Sequence, residues 1–119
     1  MSADIRLRRA YDAPASDDGY RVLVDRLWPR GVSRNDARID EWARDLAPSD
    51  DLRRWFGHDP QRWAEFRRRY REELRDHDAE LDRLGARATR DRLTLVYGAR
   101  DARRNNAIVL REVLEQRSG

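Results

Sequence analysis

Between Gly19 and Gly31 the chain reads GYRVLVDRLWPRG, an alternating apolar run that stops at a carboxylate and gives way to arginine, tryptophan, proline and glycine. Side chains alternate along extended backbone, so Tyr20, Val22 and Val24 share one face of a strand while Arg21, Leu23 and Asp25 occupy the other. Pro29 has a fixed φ and no N–H, which ends a central strand, and Gly31 permits a sharp turn. A short buried strand over residues 20–25 therefore opens into a polar loop. In α/β folds the loops at strand ends carry the sites, which makes Asp25, Arg26, Trp28 and Arg30 candidates.

Two further strands are legible. Residues 5–11 (IRLRRAY) begin with Ile5 and Leu7 alternating against Arg6 and Arg8, and residues 93–97 (LTLVY) form a compact β-branched and apolar run. Residues 12–19 (DAPASDDG) are rich in turn formers and read as the loop between the first two strands. Over 33–46 the pattern is ambiguous: Ile39, Trp42, Ala43 and Leu46 recur at helical spacing and Ser33 with Asp36 resembles a capping box, yet an extended reading stays open.

Helix signals follow. Ser49 is an N-cap candidate ahead of Asp50 and Asp51, Leu52, Trp55 and Phe56 give an apolar face, and Gly57 supplies a stop, predicting a helix over 50–57. Asp59 and Pro60 repeat the start signal. Trp63, Phe66, Tyr70, Leu74, Leu81 and Leu84 then trace one stripe, predicting a long helix over 60–84. A last helix over 102–116 carries Ala107, Leu110, Val113 and Leu114 inward, with Asp101 as its expected N-cap. The expected fold is a small single α/β domain, in two or three layers, with a short, mostly parallel sheet packed by helices.

If the strands over 20–25 and 93–97 are parallel neighbours, their carboxyl ends coincide. Asp25 and the RLWPRG loop would then face Tyr97, Arg100 and the start of the last helix, where Asn105 and Asn106 offer short amides, across one cleft. A strand, a short loop and a helix start turn unpaired backbone N–H groups toward an anion.

Composition narrows the chemistry. All 26 basic residues are arginine, which excludes Schiff-base and P-loop lysine chemistry, and the lack of cysteine removes thiol nucleophiles and thiolate metal sites. Neither His58 nor His77 has a second ligand at metal spacing, and no phosphate-loop or dinucleotide fingerprint is present, so neither metal nor cofactor is expected. The net charge of +3 runs +2, −3, +3 and +1 over residues 1–34, 35–60, 61–75 and 76–119, the interleaving of a solvated surface rather than a basic stripe. No apolar signal-like region opens the sequence and no run approaches the roughly 18 apolar residues of a membrane span, so a cytoplasmic protein without a membrane partner is expected.

VDRLWPRG, LAPS, WAEFRRRYREEL and LTLVYGARD followed by NNA, taken together, resemble the YeaO-like branch of domain-of-unknown-function family 488, from Tyr11 through Leu114. The resemblance carries no settled activity; members are sometimes labelled MarR-type transcriptional regulators. The matching positions include Asp25, Arg26, Trp28, Pro29, Arg30 and Gly31, then Pro48 and Ser49, then Phe66, Tyr70 and Leu74, and finally Tyr97, Asn105 and Ala107. Where relatives carry Asn-His-Ala this chain has Asn105, Asn106 and Ala107, so no acid/base or metal role falls to a histidine there.

The residues point to an Arg-rich cleft for an anionic, phosphate-bearing or nucleotide-like ligand, formed by Arg26, Trp28, Arg30, Tyr97, Arg100, Asn105 and Asn106. Asp25 is the group that would transfer a proton if a reaction occurs there. Two rivals are a nucleic-acid-binding regulator using Arg67 to Arg75, and a protein-interaction module using Trp42, Trp55 or Trp63.

Overall fold

A computed structural model describes residues 3–118. Four parallel strands, β1 (Ile5–Arg9), β2 (Tyr20–Leu23), β3 (Glu41–Trp42) and β4 (Leu93–Tyr97), form one sheet in the order β1-β4-β2-β3. The five helices are α1 (Arg34–Ala37), α2 (Asp50–Phe56), α3 (Trp63–Leu74), α4 (Asp78–Arg90) and α5 (Asn106–Ser118). β4 is buried along its whole length, as befits a largely apolar, β-branched strand paired on both sides, its one polar side chain Thr94 being hydrogen-bonded to Asp18 O.

Register assigns the two faces. Ile5 pairs with Leu93, Leu7 with Leu95 and Val22 with Leu95, and these residues with Val24 and Tyr97 meet α2, α3, α4 and α5 in the main core. On the other face Leu23 and Val96 pack under Trp28, Ile39 and Trp42 in a smaller cluster. Helices α2 to α5 thus cover one face, while the β1–β2 connection and the β2–β3 connection, which carries the short α1, cover the other.

The β1–β2 connection crosses over β4 without a helix and is held down chiefly by one buried carboxylate, with the exposed Asp17 beside it paired to Arg6 and Arg92. Asp18 is 1% exposed; it accepts hydrogen bonds from Ala15 N at 3.0 Å, Arg21 at 2.7 Å, Arg6 at 3.1 Å and Arg8 at 3.3 Å, and its backbone oxygen accepts from Thr94 Oγ1 at 2.6 Å. Side chains from β1, β2 and β4 therefore converge on one loop residue. Burial pushes the Asp18 carboxyl up, but the Ala15 N–H and the guanidinium groups of Arg21, Arg6 and Arg8 outweigh it and hold the carboxyl below the usual range.

Several expected capping residues are in place. Ser49 Oγ accepts from Leu52 N at 3.2 Å, Ser33 Oγ accepts from Asp36 N at 3.0 Å, and Gly57 closes α2 at φ 53°. Three expectations differ in detail. The stripe over 60–84 faces the core, buried except at the half-buried Trp63, but it runs along two helices, with a 3-10 turn at Pro60–Arg62 and another at Arg75–His77 that breaks α3 from α4. The ambiguous stretch resolves into both readings in turn, since α1 is followed by the two-residue β3 and a 3-10 turn at Arg44–Leu46. The last helix begins at Asn106, not at 102, because Asp101 accepts from the N–H groups of Arg103 at 2.8 Å and Arg104 at 3.1 Å and holds 101–104 in a turn. Capping passes to Asn105, whose Oδ1 accepts from Ile108 N at 3.1 Å.

Candidate functional site

Because β2 and β4 are parallel neighbours, the loops that leave them emerge side by side. Asp25, just past β2, accepts from Gly98 N at 2.8 Å and from Asn106 Nδ2 at 3.1 Å, and the same amide donates to Val24 O at 2.9 Å. One carboxylate thus ties the two strand-end loops and the start of α5 together. Gly98 makes this approach possible, since a Cβ there would lie 3.0 Å from Asp25 Oδ2. Burial pushes the Asp25 carboxyl above its ordinary range, and the Asn106 and Gly98 hydrogen bonds offset only part of that.

Around this junction lies a cleft of about 580 Å³. Its wall over β2 is formed by Arg26, Leu27, Trp28, Pro29 and Arg30; its helical wall by Arg53, Phe56, His58 and Phe66; its wall over β4 by Gly98, Ala99, Arg104, Asn105 and Asn106. Tyr11, from the loop after β1, completes the rim. Four arginines, Arg26, Arg30, Arg53 and Arg104, share the lining with one carboxylate, and the positive end of α5 adjoins them.

The arginines differ in freedom. Arg26 is half-buried and bends back to donate to Pro48 O at 3.3 Å and to lie 3.8 Å from Asp50, so it braces the start of α2. Arg53 lies 3.5 Å from Asp50 and Arg104 lies 3.4 Å from Asp101, both as partly exposed pairs of small worth. Among the described residues, Arg30 is exposed on the rim and forms no ion pair or side-chain hydrogen bond. Trp28 donates Nε1 to Val32 O at 2.7 Å and meets Trp42 edge-on at 5.6 Å, which fixes its ring in the wall.

The structure brings Asp25, Arg26, Trp28, Arg30, Asn105 and Asn106 into this cleft and leaves Tyr97 and Arg100 outside it. Tyr97 follows the alternation of Leu93 and Leu95 into the helix-side core, and Arg100 projects into solvent ahead of the Asp101 turn. Arg53, His58, Phe56, Phe66 and Tyr11 join the lining without having been expected there, and Leu27 comes with its loop. His58 arrives because Gly57 and His58 both take positive φ, 53° and 57°, swinging the chain back over the strand ends; glycine alone signals such a bend in sequence. Among the described residues no three His, Cys, Asp or Glu side chains converge as metal ligands, and no helix is long and apolar enough to cross a membrane.

Two surfaces considered from sequence are engaged internally. Arg67 and Arg71 pair with Glu112, Arg68 with Glu65 at 2.7 Å and Glu72 at 2.8 Å, and Arg69 with Glu65 at 3.0 Å. Trp42 lies under Arg44 at 3.9 Å, Trp55 under Arg69 at 4.4 Å, and Trp63 stacks on Phe66 at 5.8 Å.

A family model described as the inactive DUF488-N3 subclade matches residues 4–118. The chain is 42% identical over 111 residues to the uncharacterized protein YeaO of Escherichia coli (strain K12), covering 93% of this chain and 96% of that protein. It is 44% identical over 115 residues, 95% of both chains, to the uncharacterized protein Rv3073c of Mycobacterium tuberculosis (strain H37Rv) and to Mb3100c of Mycobacterium bovis. No solved structure matches. With one family model spanning nearly every residue and relatives matched almost end to end, the chain belongs to domain-of-unknown-function family 488, in its YeaO-like branch.

Proposed function

We propose that the protein is a cytoplasmic binding domain whose strand-end cleft holds a small anionic, phosphate-bearing ligand and does not transform it. The observation that carries this reading is the imbalance of the lining, four arginines against one carboxylate. Guanidinium groups suit phosphate because they present forked, permanently charged donors, and the start of α5 adds backbone N–H groups of the same polarity.

Asp25 enters this reading as a pin rather than as a proton carrier. Each of its oxygens already accepts a hydrogen bond from the protein, and those bonds join the loops that shape the cleft. The family description as an inactive subclade supports binding without turnover. Arg30 and Arg104 supply the charge, and Arg26, tied to Pro48 O, keeps the β2 wall against α2.

Isothermal titration with inorganic phosphate and ribose phosphate tests the reading. Binding is expected, and Arg30→Ala or Arg104→Ala should each weaken it about tenfold, the value of one charge-assisted hydrogen bond. No binding at millimolar ligand, or unchanged affinity in both variants, would overturn it.

A further inference from the structure

The lining that carries the arginines has a second chemistry. Tyr11 is 48% exposed and Leu27 is 63% exposed; these are the exposed large hydrophobic side chains among the described residues, and both stand on the rim of the same cleft. Single exposed apolar residues scattered over a surface need no explanation, whereas an apolar pair at the mouth of a charged cleft is the pattern of a ligand contact. The four tryptophans, by contrast, are packed or covered by arginine.

Tyr11 is also held in place. The Arg9 guanidinium sits 5.2 Å from the centre of its ring and donates Nε to Ala99 O at 3.0 Å, so the ring is set against the β4 loop. The ring also borders Gly98: a Cβ there would lie 4.0 Å from Tyr11 Cε2, an ordinary contact distance. A partly exposed aromatic ring, fixed from one side and bordered by cations, offers a platform for a second flat ring. The cleft volume of about 580 Å³ lies within the range of pockets that enclose whole small molecules rather than single ions, roughly 300–1,000 Å³.

We propose that the ligand joins its phosphate to a planar ring, as in a ribonucleoside monophosphate, with the phosphate among the arginines and the ring between Tyr11 and Leu27 at the rim. This rests on the anion-binding reading and adds the ring to it.

The test compares inorganic phosphate, ribose phosphate and the four ribonucleoside monophosphates by isothermal titration. At least one nucleotide should bind about tenfold tighter than ribose phosphate, the increment of one stacked base. Tyr11→Ala and Leu27→Ala should remove that advantage without changing ribose phosphate binding, and Tyr11→Phe should keep it. Both positions lie on the surface, and an unchanged thermal midpoint checks that the variants are folded. Arg30→Ala should weaken phosphate, sugar phosphate and nucleotide alike. Equal affinity for nucleotide and ribose phosphate, or a nucleotide advantage that survives Tyr11→Ala and Leu27→Ala, would overturn the ring and leave the anion-binding reading standing. Absence of binding by every one of these ligands would overturn both.

Discussion

Asp25 shows how much one side chain carries at the strand ends. Its carboxylate is half-buried, raised in pKa by desolvation, and bonded to Gly98 N and Asn106 Nδ2. Linkage fixes the sign of the consequence. A native carboxyl that holds its proton to higher pH than the unfolded chain stabilises the fold less and less as pH climbs from the unfolded value of about 4 through the raised native one. The stability of the wild type relative to Asp25→Asn, measured by urea unfolding, should therefore fall across that window as pH rises; a flat difference would contradict the burial argument. Sequence singled out Asp25 and Asn106 correctly as neighbours of a strand end and a helix start. It could not pair them, because 80 residues separate the two and no local pattern encodes which donor a distant carboxylate will meet.

At the scale of elements, the strands and caps follow local rules, and the departures follow from what such rules overlook. Leu74 and Leu81 are seven residues apart, a spacing equally at home in one continuous helix, so the 3-10 turn at Arg75–His77 leaves no mark on the periodicity. β3 has two residues, too few to alternate. The entry to β2 is fixed by a close approach: Gly19 has φ +67°, and a Cβ there would lie 2.2 Å from Arg92 O, the oxygen that accepts from Tyr20 N at 2.9 Å. Gly19→Ala should cost about 2–4 kcal/mol by urea unfolding, from backbone strain and a collision with the backbone that cannot move aside. Gly31 supplies the control, since its φ is +79° but nothing lies within 4 Å of an added Cβ. Gly31→Ala should cost only the left-handed penalty, about 1–2 kcal/mol.

Across the whole molecule, the sheet is stabilised differently on its two faces. Helices bury one face by the hydrophobic effect, while the other carries only a small apolar cluster and is closed in part by a loop anchored at Asp18, where Arg21 is 4% exposed and ion-paired at 2.7 Å. Removing one partner of a buried pair leaves the other uncompensated, so Asp18→Asn should cost about 3 kcal/mol by urea unfolding. The Asp18 carboxyl is held below its unfolded value, so its contribution is complete above about pH 4 and disappears as pH falls through the depressed native pKa. Acid unfolding should accordingly be steeper in the wild type than in Asp18→Asn, and equal slopes would contradict the assignment.

The amino-acid sequence alone determined which residues alternate, which cap and which form the apolar stripe, because these depend on neighbours within a few positions. It also supplied the parallel α/β architecture, since buried apolar strands separated by helical segments have few other ways to pack. The meeting of the loops after β2 and β4 was expected only on condition that the two strands are parallel neighbours; tertiary structure decided that they are, that Tyr97 turns away from the cleft while His58 enters it, and that Asp18 gathers arginines from two strands. Those outcomes depend on strand order and on which face each crossover takes, and hydrophobic periodicity reports neither.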